Sequence, residues 1–207
     1  MIELYTDASP NGFKISIALE ELGLAYRTHH VRIDKADNRS PAFLQLNPHG
    51  RIPVIVDHDT GVTLFESAAV LLYLAEKTQR LLPADPIARW KAIQWLQFHA
   101  SSVGPILGQR VHFEIFAPVP LPDAIGRYQA LTEEAFATVD SHLSRNQWLA
   151  GDDYSIADIA HFGWTHIALI CGFDLSGFSA LSAWHQQMAA RAAVKRGILI
   201  PAPATGP

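Results

Sequence analysis

A chain of 207 residues with 49% hydrophobic and 17% charged side chains has the composition of an ordinary folded protein, and the length for one large domain or two small ones. Its formal net charge is −4 and its sixteen Lys and Arg are scattered, which argues against nucleic acid or an acidic membrane surface as a partner. The single cysteine, Cys171, excludes an intrachain disulfide. With no basic leader at the N-terminus and no apolar run of membrane-spanning length, a cytoplasmic protein is expected.

Met1–Tyr5 reads as a strand and is followed by the turn Ser9-Pro10-Asn11-Gly12. A helix is expected over 12–22, with Ile15, Leu19 and Leu22 on one face. The segment AYRTHHVRI alternates as a strand does, and SPAFLQLN reads as a short helix with Ser40 as N-cap and Pro41 at its first position. IPVIVD and VTLFE are strands joined by the hairpin turn HDTG. SAAVLLYLAEKT is a helix expected to be capped by Ser67. The order β-α-β-α-β-β-α predicts a compact sheet with helices packed on it. At LLPADPIAR, Pro83 and Pro86 mark a linker, 81–86. Beyond it the pattern is helical over 87–113, 122–144, 155–171 and 180–192, and the tail PAPATGP is expected to fray. An α/β domain over 1–80 and an all-helical domain over 87–207 are expected, without internal repeats.

A strand, a proline turn and a helix N-terminus is where small redox proteins keep a reactive cysteine pair, yet this turn has no cysteine. What it has is the Ser9 hydroxyl, the Asn11 amide, and the N–H groups of Asn11 and Gly12, expected to be unpaired at the helix start. Capping the helix is the commoner use of such a turn. In Arg51-Ile52-Pro53, proline admits a cis bond at little cost, and a cis proline at a strand end exposes the Ile52 main chain to an added peptide strand. Alternatively, Pro53 simply starts an edge strand. Glu66-Ser67 opens a helix whose N-terminus suits a carboxylate, unless Ser67 is only a cap. Ser155 and Asp158 form a capping box with a structural role.

Other patterns carry less. Asp59-Thr60-Gly61 matches the aspartic-protease triplet but lies in a hairpin turn. The ten histidines lack metal-ligand spacing, Cys171 reads as a small buried residue, and no phosphate-binding glycine loop is present. Tyr5 reads as a core-facing strand residue, with a contribution to catalysis as the alternative.

Ser9-Pro10-Asn11-Gly12, NPHGRIPVIVD, LFESAAVLLYLAEKT, GPILGQ with Phe113, GRYQ and YSIADIA occur in order and with matching spacing. Together they resemble a cytosolic glutathione transferase over nearly the whole chain, to about Arg196. The N-terminal half is most similar to the bacterial Nu-class glutathione-dependent disulfide-bond oxidoreductases. The resemblance implies a thioredoxin-like domain followed by an all-helical domain whose segment 104–116 lines a second-substrate site. It implies glutathione as co-substrate, no metal or nucleotide, and a homodimer. Ser9 and Asn11 then activate the glutathione thiolate, while Asn38, Arg51, Ile52, Glu66 and Ser67 bind the tripeptide and Arg127 reaches it from the neighbouring subunit. Ser9 stands where relatives commonly have threonine, and Asn38 where they often have the longer glutamine. The implied activity is disulfide reduction by a borrowed thiolate, since a free cysteine thiol near pKa ~8.5 is mostly protonated at neutral pH. Conjugation of electrophiles and non-catalytic glutathione binding are the alternatives.

Overall fold

The computed structural model describes residues 1–202, so most of the tail expected to fray lies outside the described residues. The chain divides into two compact units, Met1–Arg80 together with the chain from Ala189 onward, and Leu81–Met188.

The first unit holds β1 (Ile2–Thr6), α1 (Pro10–Leu22), β2 (Tyr26–His30), α2 (Pro41–Leu46), β3 (Val54–Asp57), β4 (Val62–Phe65) and α3 (Ser67–Thr78). This is the expected order, and it forms a mixed sheet, β2-β1-β3-β4, of thioredoxin-like type. β1 runs parallel to β2 and antiparallel to β3, and β3 and β4 form the hairpin. The pleat explains the alternation of β1: Ile2, Leu4 and Thr6 are buried while Glu3 and Tyr5 are half-buried on the other face. α1 is buried along 12–19 and ends on Gly23 in the left-handed conformation. Ser40 caps α2 as expected, accepting from the Phe43 N–H at 3.4 Å.

The pattern over 180–192 breaks at Arg191, whose extended backbone separates α8 (Ser179–Ala190) from α9 (Ala192–Gly197). α9 belongs to the first unit rather than to the helices that precede it, which differs from the expected extent of 87–207 for the helical domain. It lies against α1: a Cβ on Gly197 would stand 2.6 Å from the Ile17 side chain, and the Ser16 hydroxyl donates to the Gly197 carbonyl at 2.7 Å. Arg191 forks onto Glu21 at 2.6 and 3.0 Å, and Arg196 pairs with Glu20 at 2.6 Å.

The second unit is helical: α4 (Pro86–Phe98), α5 (Gly104–Val111), α6 (Pro122–Leu143), α7 (Ile156–Ile170) and most of α8. The single helix expected over 87–113 is interrupted by a π-helical turn at His99–Val103 and followed by another at His112–Phe116. α7 is buried through residues 156–165. Gly104 and Gly108 bring α5 close to it, since a Cβ on either would meet the Trp164 ring at 3.3 or 3.1 Å. The capping box is formed: Asp158 accepts from the Ser155 N–H and hydroxyl, and also from the Leu149 N–H and Trp184 Nε1. Burial pushes the Asp158 carboxyl up to about 6 while those donors pull it down. Among the described residues no helix is long and apolar enough to cross a membrane.

Candidate functional site

The turn after β1 is organised by Asp7. Its carboxylate accepts from the N–H groups of Ala8 (2.8 Å) and Ile33 (3.0 Å) and from His30 Nε2 (2.9 Å). Burial pushes this carboxyl up, but the Ile33, His30 and Ala8 donors outweigh it and hold the group below its ordinary range. Next in the chain, Ser9 caps α1: its backbone is extended and its Oγ accepts from the Gly12 N–H at 3.1 Å. The Gly12 N–H expected to be unpaired is therefore taken by the cap. A hydroxyl that accepts through a lone pair keeps its own proton, so Ser9 can cap the helix and still donate. Gly12 must lack a side chain, because a Cβ there would collide with the Asp7 carbonyl and the Thr6 hydroxyl.

Asn11 is half-buried in the first turn of α1, and its Oδ1 accepts from Lys14 Nζ at 2.8 Å. An ammonium has donors only, so the amide is oriented with its carbonyl toward Lys14 and its NH₂ turned the other way. Lys14 is 3% exposed and donates as well to Ser67 Oγ at 3.2 Å. Burial drives its ammonium down to about 7, opposed by the charge of Glu66. Sequence reasoning misses this lysine, because an inner face of Ile15, Leu19 and Leu22 leaves Lys14 to solvent. The available signal is a single charge inside an otherwise uncharged stretch, 12–19, since a helix apolar on every side is a buried one.

At the start of α3 the expected cap is displaced by one residue. Ser67 is the first helical residue, and the N-cap position falls to Glu66, whose side chain makes no capping bond and whose φ is 69°. A non-glycine residue held there costs on the order of 1 kcal/mol or more, and such residues gather at functional sites. The Glu66 side chain is exposed and the Ser67 side chain half-buried.

The Ile52-Pro53 bond is cis. β3 pairs with its neighbours from Val54 onward, so the Ile52 main chain lies beyond the ladder. Two buried asparagines hold the loop ahead of it. Asn47 Nδ2 donates to the Arg51 carbonyl at 2.7 Å while its Oδ1 accepts from the His49 N–H at 2.9 Å. Asn38 is turned inward and donates to the Gly50 carbonyl at 2.7 Å. Asn47 is thus a second positioning residue that the sequence expectations lack. Arg51 is exposed.

Tyr5 is engaged elsewhere. Its hydroxyl donates to Glu3 Oε2 at 2.9 Å, its ring stacks on His29 at 4.4 Å, and it packs on the Val31, Phe43, Ile52 and Val54 cluster. Burial, then the Glu3 carboxylate, push the phenol above its ordinary range. Arg127 lies in the second unit, exposed on α6. Cys171 is half-buried there, its thiol pushed up by burial and by Glu114, a poor setting for a nucleophile.

The structure therefore joins Ser9, Asn11, Lys14, Glu66 and Ser67 at two helix N-termini, a cluster of oriented donors and one buried cation with no thiol of its own. Such an arrangement favours anions: a carboxylate at α3 and a sulfur anion at α1.

Family models for the glutathione S-transferase N-terminal domain and C-terminal domain match residues 8–77 and 128–192. The chain is 41% identical over 204 residues to the disulfide-bond oxidoreductase YfcG of Escherichia coli, covering 96% of this chain and 95% of that protein. Among solved structures, a glutathione transferase of Burkholderia graminis with two glutathione molecules bound per subunit superposes with a TM-score of 0.93 at 38% identity, covering 98% of this chain and 89% of that one. A glutathione transferase of Pseudomonas putida with one glutathione disulfide bound per subunit gives a TM-score of 0.90 at 38% identity, covering 97% and 91%.

Proposed function

Because this chain belongs to the glutathione S-transferase family, we propose that it is an enzyme that reduces disulfides with glutathione. The observation that carries this reading is the cysteine-free N-terminus of α1, where Ser9 keeps a proton to donate and the Asn11 amide is oriented by Lys14 through its oxygen. Glutathione brings the missing sulfur. Its cysteinyl main chain pairs with Ile52, and its γ-glutamyl carboxylate sits on the Ser67 N–H and hydroxyl at the start of α3, with Glu66 facing the neighbouring ammonium. Arg51 and, through its remaining amide oxygen, Asn38 lie along the loop that borders the tripeptide. Placed so, the thiol loses its proton more readily because the Ser9 and Asn11 donors and the helix N-terminus stabilise the anion.

The thiolate attacks one sulfur of a substrate disulfide; a new S–S bond forms, the old one breaks, and the departing thiolate takes up a proton. A second glutathione, as thiolate, attacks the mixed disulfide, releasing the second substrate thiol and glutathione disulfide. Two glutathiones are oxidised for each disulfide reduced. The protein acts as a cytoplasmic homodimer in which Arg127 of one subunit approaches a carboxylate of glutathione in the other, a role suited to a guanidinium fork.

The test is turnover of hydroxyethyl disulfide with glutathione by wild type and Asn11→Ala side by side. Activity in the wild type that falls by about 10²-fold or more in the variant is expected for an anion-stabilising donor. Wild-type protein that binds glutathione yet leaves the disulfide untouched would overturn the reading and point to conjugation or plain binding, separated by an electrophile panel.

A further inference from the structure

Lys14 is the only charged residue within the buried stretch 12–19 of α1, and both of its hydrogen bonds end on groups of the glutathione site just described. Nζ reaches Asn11 Oδ1 at 2.8 Å and Ser67 Oγ at 3.2 Å. Each contact has a directional consequence. Lys14 donates to the oxygen end of the Asn11 amide, which fixes the orientation of that amide. It likewise occupies a lone pair of Ser67, so the Ser67 proton is the part of that hydroxyl left to donate to a carboxylate.

We propose that Lys14 is the positioning residue of the glutathione site, a buried cation that sets the polarity of Asn11 at the thiolate position and of Ser67 at the carboxylate position together. This rests on the reading of the site as one for glutathione. It assigns Lys14 no proton transfer and no contact with the reacting sulfur. Its charge also lies 2.8 Å from Asn11, and a cation near a thiol favours the thiolate over the thiol. Burial working against the ammonium, with Glu66 opposing it, fits a charge kept for its effect on neighbours.

The test measures the pKa of the bound glutathione thiol, from thiolate absorbance near 240 nm against pH, in wild type, Lys14→Met and Lys14→Gln. Binding of S-methylglutathione, which has no ionisable thiol, is measured in parallel. We expect both variants to fold, to bind S-methylglutathione more weakly but measurably, and to lower the thiolate fraction at a fixed acidic pH about tenfold or more, the size of effect a neighbouring charge has on a thiol. Disulfide turnover falls with the thiolate fraction. Folded variants that bind S-methylglutathione and keep the wild-type thiol pKa overturn the proposal. Failure of both variants to fold overturns it too, because Lys14 would then be a structural residue. A wild type whose bound thiol titrates like free glutathione refutes the functional reading itself, a result distinguishable from failure of the Lys14 role alone.

Discussion

Replacing Lys14 by methionine is expected to make the protein more stable near neutral pH while it damages the site. In the folded chain burial drives the ammonium from 10.5 down to about 7. Each tenfold change in proton affinity is worth about 1.4 kcal/mol, so the fall amounts to about 5 kcal/mol. The sign follows from the direction. A folded-state pKa below the unfolded one means that between pH 7 and 10.5 the unfolded chain holds the extra proton, so stability rises with pH across that window and is lost as pH falls from 10.5 to 7. From about pH 10 to about pH 6.5 the wild type should lose about 4 kcal/mol through this one group. Methionine has similar length, no charge and no such loss, and the two bonds it forfeits are to the half-buried Asn11 and Ser67, which water can serve. Urea unfolding followed by tryptophan fluorescence at several pH values, on both proteins, isolates the effect, because titrating groups not coupled to Lys14 cancel in the difference. The methionine variant should be the more stable near pH 6.5, with the gap closing toward pH 10. A gap that moves by less than about 1 kcal/mol across that range, against the ~4 expected, would refute the account of Lys14 as a buried and costly charge.

Two further substitutions probe the scaffold. Asp158→Ala strands the Leu149, Ser155 and Trp184 N–H donors in a buried setting, at about 1 kcal/mol or more each; a loss of about 3–5 kcal/mol by denaturant unfolding is expected, and less than about 1 would contradict it. Gly12→Ala forces a methyl against the Asp7 carbonyl and the Thr6 hydroxyl, so it should cost about 1–3 kcal/mol and move the Ser9 cap. Glutathione affinity measured by calorimetry should drop with it, and an unchanged affinity would mean that the turn is not part of the site.

Much of the fold is legible in the chain because the signals are local. The pleat of β1, Ser40 with Pro41, the HDTG hairpin and the Ser155–Asp158 box each depend on residues a few positions apart, where sterics and capping act before any tertiary contact forms. The position of Ser9 and Asn11 at the start of α1 is legible for the same reason. What the chain alone leaves open is set by partners distant in sequence. Ser67 fails as a cap because the backbone turns into α3 through Glu66 at positive φ, a conformation no local rule assigns to glutamate.

The fate of α9 is equally hidden, since a six-residue helix shows no preference for one core over another until Gly197 meets Ile17 and Arg191 meets Glu21. Local patterns along the chain suffice for the order of elements, the cysteine-free turn and the donors at its helix. The orientation of those donors is set by packing between distant segments. A buried lysine at position 14, held between residues 11 and 67, exists as a site element only once α1 and α3 are packed, because desolvation and orientation are properties of the assembled interior and not of any stretch of chain.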